Sequence, residues 1–172
     1  MIMPRGQELM MPVNPLFIAL TIVVALALNM LPWGGWVWMP DWLLLVLAFW
    51  GVHQSGKVGM GIGFFLGLSM DVHQSALLGQ HALSYVLLMF ACRQASRRVL
   101  WFNVLIQAMY MAPLFVMAHA VEVVVRMVAG GIFPGPWVLI APLIEALLWP
   151  VASWILLAPQ RRPPDRDSNR PL

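Results

Sequence analysis

The chain has 172 residues, of which 61% are hydrophobic and only 10% are charged, with ten Lys or Arg and seven Asp or Glu. So few charges cannot cover the surface of a soluble fold of this size, so a soluble enzyme and a disordered protein are both excluded. The single cysteine, Cys92, excludes an intrachain disulfide and a cysteine-built metal site. The basic residues stand at the ends of apolar segments, which argues against binding to nucleic acid. Composition therefore predicts an all-α, polytopic membrane protein.

Six apolar segments are predicted to form a six-helix transmembrane bundle, and they cover residues 14–31, 41–54, 58–72, 80–93, 99–125 and 137–158. A bilayer core about 30 Å thick requires about twenty helical residues, which the first, fifth and sixth segments supply. A helix of about fourteen residues reaches only about 21 Å. The second, third and fourth segments therefore borrow polar flanking residues, lie in locally thinned bilayer, or include a re-entrant segment.

The basic residues also predict the orientation of the spans. With a cytoplasmic N-terminus, nine of the ten Lys and Arg residues lie on the inner side and only Arg126 lies outside, as the positive-inside rule expects. Both termini are then cytoplasmic. Residues 1–159 form one domain, and the Pro- and Arg-rich residues 160–172 are predicted to be a disordered tail. A cleaved signal peptide is the alternative for the first segment, but Glu8 cancels Arg5 and the apolar run continues to Leu31, which favours an uncleaved span.

Aromatic and charged side chains mark the outer ends of two spans. On the fifth span Glu122 and Arg126 have the i,i+4 spacing and order of a helical ion pair, and His119 lies one turn earlier. We interpret these three as a solvated helix end. Four tryptophans near the first outer loop are predicted to form an interfacial belt. They are Trp33, Trp36, Trp38 and Trp42.

The third segment carries a stripe of glycines that leads to a carboxylate. Gly59, Gly63 and Gly67 are spaced four apart, and Asp71 follows at the next step, so all four share one helix face. Glycines at this spacing allow another helix to approach closely. That helix is either a span of the same chain or a membrane helix of a partner. Asp71 is either a functional carboxylate within the membrane or a cap for the following turn.

Glu145 lies near the middle of the sixth predicted segment, between Pro142 and Pro150. Each proline frees a backbone carbonyl one turn earlier. An acid in such a helix is a candidate proton or ligand site, as in transporters. The alternative is a protonated structural acid that hydrogen-bonds the freed backbone or Asn103 and Gln107 on the fifth span.

No motif predicts a cofactor, a metal centre or catalysis. Asp71, His73, His81 and His119 all lie toward the predicted outer side, but no two of the histidines have the HxxxH spacing that arranges metal ligands in advance. No nucleophile is accompanied by a base and an orienting group, and no phosphate-binding loop is present. The sequence therefore predicts a protein that is not an enzyme.

Several segments together resemble the MreD family of bacterial rod shape-determining membrane proteins. Pro32-Trp33 is followed by residues 39–50 (MPDWLLLVLAFW), which are similar to the family's second span. Residues 58–71 (VGMGIGFFLGLSMD) and 77–83 (LLGQHAL) continue the similarity, and residues 147–150 (LLWP) resemble its final-span motif. The strong similarity covers residues 31–85, and the combination of segments is what makes it specific.

The resemblance implies a non-enzymatic component of the elongation (Rod) complex in the bacterial inner membrane, where it supports cell shape and peptidoglycan synthesis. It implies direct binding to MreC, a single-span protein, and a place beside MreB, RodA and the elongation transpeptidase. It also implies a fold similar to the six-helix substrate-binding subunits of vitamin transporters.

Two functions are therefore expected from different classes. In the first, the glycine stripe and the aromatic outer loop dock the membrane helix of MreC. In the second, the chain is a small-molecule binder or transporter, and Glu145 and Asp71 line a pocket between helices.

Overall fold

A computed structural model of the protein describes residues 13–32 and 38–160. Within this part of the chain there are six α-helices and no strand, which confirms the all-α fold class. The helices are α1 (Pro15–Met30), α2 (Trp42–His53), α3 (Met60–His73), α4 (Gln80–Val99), α5 (Val104–Val128) and α6 (Ile140–Leu157). Short 3₁₀ helices at Pro136–Leu139 and Ala158–Gln160 flank α6. The tail predicted for residues 160–172 lies outside the described residues, except for Gln160, which ends the second of these 3₁₀ helices.

The helix bounds differ from the predicted segments chiefly between the fourth and fifth. α4 continues to Val99 rather than ending at Arg93, and α5 begins at Val104 rather than at Val99. The later start follows from Asn103, whose side chain accepts a hydrogen bond from the backbone N–H of Ile106 and caps the helix. By length and composition, Val104–Val128 and Pro136–Gln160 are long and apolar enough to cross a membrane. Pro15–Met30, Trp42–His53 and Met60–His73 are shorter apolar helices.

α2 is the centre of the bundle. It packs against α1, α4 and α6, while α4 also packs against α3 and α5, and α5 packs against α6. Most of α2 is apolar on every side, and such a helix is stable only when it is surrounded. Its buried residues are Leu43, Leu44, Leu45, Leu47, Ala48, Phe49, Trp50, Gly51 and Val52.

Two glycines of the predicted stripe bring α3 close to α4. A Cβ atom at Gly67 would lie 2.4 Å from the Cα atom of Ala82, and one at Gly63 would lie 3.1 Å from Cγ of Met89. Gly59 precedes α3 as its N-cap and has open space beside it. The face that holds Gly63 and Gly67 is therefore covered by a helix of the same chain rather than being free for a partner.

Six helix ends meet at one end of the bundle, which we call the cavity end. They are the C-terminal ends of α1, α3 and α5 and the N-terminal ends of α2, α4 and α6, and residues from all of them or their flanking turns line one cavity. The polar side chains singled out in the sequence are concentrated here. The cavity end is the candidate functional site.

Candidate functional site

The cavity has a volume of about 680 Å³ and is open on one side. Its wall is mixed: carboxyl, imidazole, amide and guanidinium groups alternate with proline, valine, leucine and methionine side chains. The ionisable members of the wall are Asp41, His73, His81, His119, Glu122 and Arg126. A pocket of this size and mixed lining is within the range of about 300–1,000 Å³ that is typical of ligand sites.

Asp41 is the residue that joins most of the helices at the cavity end. Its Oδ1 accepts hydrogen bonds from the backbone N–H of Leu44, at 2.9 Å, and from Nδ2 of Asn29, at 2.5 Å. Its Oδ2 accepts from the hydroxyl of Tyr85 at 2.5 Å. Asn29 in turn accepts from the backbone N–H of Trp42 at 2.9 Å. Asp41 thus caps α2 and holds α1 and α4 against its first turn.

Glu145 is completely buried and is bonded to two other helices. Its Oε1 accepts from the backbone N–H of Asp41 at 2.8 Å and lies 2.9 Å from Nε2 of His119. The opposite ring nitrogen of His119 lies 3.6 Å from Oε2 of Glu122. His119 therefore stands between two carboxyl groups. Oε2 of Glu145 has no hydrogen-bond partner among the described residues.

The partners expected for Glu145 on the fifth span are wrong. Asn103 caps the start of α5, and Oε1 of Gln107 accepts instead from Nε1 of Trp149 at 3.3 Å. Both lie toward the opposite end of α5 from His119. The reason is that α6 begins at Ile140, so Glu145 stands in its second turn, beside the cavity end, rather than at mid-helix.

Asp71 closes the turn between α3 and α4. Its carboxylate accepts from the backbone N–H groups of Gly79 and His81, both at 2.7 Å, and lies 2.8 Å from Nδ1 of His81. The N-cap residue of α4 is Gly79, with φ of 99°, and it has no side chain that could satisfy the first N–H groups of the helix. Asp71 supplies this cap from the preceding helix. Of the two alternatives for Asp71, its geometry is that of a cap.

Neither Asp71 nor Glu145 is part of the cavity wall. Their bonded partners line it instead: His81 for Asp71, and Asp41 and His119 for Glu145. The expectation that the two acids line a common pocket is therefore wrong. Both carboxyl groups lie behind the wall, where they hydrogen-bond to neighbouring helix ends.

The ion pair predicted between Glu122 and Arg126 is also absent from the part of the chain that the structure describes. Glu122 faces His119 instead, and its side chain is mostly buried rather than solvated. Both Glu122 and Arg126 line the cavity.

Only two of the four tryptophans of the predicted belt are among the described residues. Trp33 and Trp36 lie outside the described residues. Trp38 is exposed, as an interfacial side chain should be. Trp42 differs from the expectation, because it is partly buried against the apolar core, lines the cavity, and has a buried indole N–H with no partner among the described residues.

Among residues 13–32 and 38–160, no group of three or more His, Cys, Asp or Glu side chains is arranged to hold a metal ion. His73, one of the four possible ligands considered in the sequence, is exposed in the cavity wall, whereas His81 is bonded to Asp71.

Asn29, Asp41 and Tyr85 are functional candidates that sequence reasoning missed. Asn29 and Asp41 stand at segment ends, where polar residues are unremarkable, and Tyr85 lies within an apolar run. The available signal was the Pro-Asp-Trp start of α2, in which an aspartate directly before an apolar run is typical of a helix N-cap.

A sequence model of the family described as "rod shape-determining protein MreD" matches residues 8–158 of the chain. The rod shape-determining protein MreD of Haemophilus influenzae is 41% identical to it over 63 residues. This match covers 36% of the chain and 39% of that relative, so well under half of the relative's length is aligned. No solved structure is significantly similar.

Proposed function

Since the chain belongs to the MreD family of rod shape-determining membrane proteins, we propose that it is a non-enzymatic component of the bacterial elongation (Rod) complex. In this role it sits in the inner membrane as a six-span protein with both termini in the cytoplasm, and it supports cell shape and peptidoglycan synthesis. The observation that carries the proposal is the family match over residues 8–158. The use of Asp71 and Glu145 to join helix ends, rather than to face a substrate, supports a non-enzymatic role.

The proposal predicts that a rod-shaped bacterium depleted of its own MreD regains its shape when this chain is expressed. Cell width and length, measured by phase-contrast microscopy, are the readout. An Asp41→Ala variant removes the carboxylate that joins α1, α2 and α4. We expect this variant either to be degraded or, at the same abundance in the membrane as the wild-type chain, not to restore the rod shape. Cells that stay round although the wild-type chain accumulates in the membrane would count against the role.

Within this complex, we propose that the direct partner is the membrane helix of MreC and that it docks on the outward face of α3. α3 packs chiefly on α4, and its other side presents Phe64 and Phe65, of which Phe65 is 70% exposed. Gly61 lies on this free side with open space around it. A small residue beside exposed aromatic rings permits close approach of another helix. MreB, RodA and the transpeptidase belong to the same complex without a contact being assigned.

Gly61→Leu tests this face, since it fills the close-approach position without touching another helix of the chain. We expect it to reduce co-purification with MreC from detergent-solubilised membranes several-fold. Ala19→Leu is the matched control, because Ala19 is exposed on α1. Wild-type recovery of MreC with Gly61→Leu would reject the α3 face. Loss with both variants would also reject it, because the effect would then not be specific to that face.

A further inference from the structure

Three arginines cluster at the end of the bundle opposite the cavity end, which we call the basic end. Arg93, Arg97 and Arg98 occupy the last two turns of α4, and all three are exposed. None of them forms an ion pair within residues 13–32 and 38–160. Lys57, also at this end, differs because its ammonium donates to the backbone carbonyl of Val13 at 3.0 Å. The three arginines are thus positive charges without a counter-ion in the described chain.

The acids of the described chain are too distant to neutralise this cluster. They lie at the cavity end and are Asp41, Asp71, Glu122 and Glu145. Asp71 is bonded to His81 at the start of α4, and Arg97 lies sixteen residues further along that helix, a rise of about 24 Å. Across such a distance the attraction of an exposed charge is largely screened by salt.

The terminal segments of the sequence are not a complementary acidic stretch either. Residues 161–172 contain four arginines against two aspartates, and residues 1–12 contain one arginine and one glutamate. The side chains of the first segment are therefore net positive, and those of the second are neutral. An anion that matches the three arginines has to come from outside the chain.

The surface that leads to the arginines is apolar and faces away from the bundle. Leu83, Leu87 and Phe90 have exposed fractions of 46%, 36% and 49%, and their spacing of four and three places them on one stripe of α4. Arg97 lies seven residues beyond Phe90, so it continues this stripe two turns later. Trp101, which is 89% exposed, follows in the turn after α4. An apolar stripe that ends in cations and an indole ring is typical of a surface at a lipid headgroup region.

We propose that the C-terminal end of α4 binds an anionic phospholipid. Its phosphodiester accepts hydrogen bonds from the guanidinium groups of Arg97 and Arg98, whose forks of donors match phosphate oxygens. The two side chains are about 100° apart around the helix, so they flank the stripe and leave the headgroup between them. Arg93 adds positive charge one turn earlier. One acyl chain lies along the apolar stripe.

A phospholipid fits this surface better than an acidic protein segment does. Both would neutralise the arginines, but only the lipid also covers the apolar stripe that continues from Phe90 to Leu83. The proposed lipid site goes beyond the role in cell shape and does not depend on it.

The test measures lipid binding to the purified full chain in detergent by native mass spectrometry. The chain is titrated with dioleoyl phosphatidylglycerol, and the fraction that carries one lipid gives an apparent Kd. Dioleoyl phosphatidylcholine is the comparator, because it keeps the acyl chains and the phosphate but has no net charge. Glycerol phosphate, the headgroup without acyl chains, serves as a competitor that distinguishes a lipid site from a simple anion site.

Matched variants separate charge, shape and apolar contact. Arg97→Gln and Arg98→Gln, made singly and together, remove the charges, while Lys at both positions keeps them. Arg126→Gln is the control, because Arg126 is an exposed arginine at the other end of the bundle. Leu87→Ala shortens the apolar stripe, and Leu20→Ala, at a position 60% exposed on α1, is its control. Thermal unfolding reports whether each variant is folded.

We expect phosphatidylglycerol to bind about tenfold or more tightly than phosphatidylcholine, and glycerol phosphate at the same concentration not to displace it. Each Arg→Gln substitution should weaken binding about fivefold, and the double variant about thirtyfold, as is typical of cations beside anionic lipid. The double Lys variant should retain most of the affinity. Leu87→Ala should weaken binding several-fold, whereas Arg126→Gln and Leu20→Ala should not change it.

Equal binding of the two lipids would overturn the proposal. So would binding of phosphatidylglycerol that the double Gln variant leaves unchanged, a result that would leave the arginines to an acidic protein partner. Displacement by glycerol phosphate at the same concentration would also overturn it, because the site would then bind an anion without using the apolar stripe.

Discussion

At the scale of single residues, the cavity end is held together by carboxylates that reach across helices. Asp41 bonds to its own helix and to side chains of α1 and α4, while its backbone N–H binds Glu145 of α6. Between helices in a membrane there is no hydrophobic effect to drive association, so hydrogen bonds of this kind help to hold the helices together. Asp41, Asp71 and Glu145 are therefore placed where they fix the relative positions of helix ends.

Tyr85→Phe tests the reach of Asp41 across to α4. The substitution removes one hydroxyl at almost constant volume and leaves Oδ2 of Asp41 without its donor. We expect the free energy of unfolding to fall by about 1–3 kcal/mol, measured by denaturation in detergent micelles. Tyr110→Phe is the control, because Tyr110 is half exposed and stacks on Phe102. Equal stability of the two variants would contradict the assigned role of Asp41.

Asp71→Ala tests the cap on α4. It leaves the backbone N–H groups of Gly79 and His81 without an acceptor, and the glycine at the N-cap cannot replace it. We expect a loss of about 1–3 kcal/mol in the free energy of unfolding and faster hydrogen exchange at residues 79–82. Ser69→Ala, on the exposed side of the same helix, should change neither quantity. Unaltered exchange in Asp71→Ala would show that another group caps the helix.

At the scale of helices, the tightest approach is that of α3 to α4. A Cβ atom at Gly67 would be only 2.4 Å from backbone atoms of Ala82, which cannot move without displacing the helix. Gly63 is more tolerant, because the first atom that its Cβ would meet belongs to the flexible side chain of Met89. The two positions share one face but differ in what lies opposite.

Gly67→Ala and Gly61→Ala form a matched pair on this helix. Gly67→Ala should destabilise the protein by about 1–3 kcal/mol through overpacking. Gly61→Ala, which faces open space, should be neutral or stabilise it by up to about 1 kcal/mol, because alanine restricts the unfolded chain. Unfolding midpoints in detergent distinguish these outcomes. A neutral Gly67→Ala would mean that α3 and α4 are farther apart than described.

The helices themselves were predictable because apolar runs and their polar ends are local features of the sequence. The glycine stripe likewise indicated close helix packing, and Asp71 was recognised as a possible cap. The contacts of Glu145 were not predictable, because they depend on which helices are neighbours. Asp41 and His119 reach Glu145 only because α2 and α5 both flank α6, and no local pattern encodes that arrangement.

At the scale of the whole molecule, the charges are separated between the two ends of the bundle. Lys57, Arg93, Arg97 and Arg98 lie away from the cavity end, whereas the acids Asp41, Asp71, Glu122 and Glu145 surround it together with Arg126. By the positive-inside rule, this distribution predicts that the basic end faces the cytoplasm and that the cavity opens to the outer side. This asymmetry is what the proposed orientation rests on.

Cysteine labelling tests the orientation, because the one native thiol, Cys92, is fully buried and should not react in the folded protein. Ala129→Cys adds an exposed thiol just after α5, at the cavity end, and Gly56→Cys adds one between α2 and α3, at the basic end. In cells with a permeabilised outer membrane, a membrane-impermeant maleimide should label Ala129→Cys alone. Gly56→Cys should react only after the inner membrane is disrupted, since the basic end then faces the cytoplasm. The reverse pattern would invert the topology and close the cavity to ligands from outside.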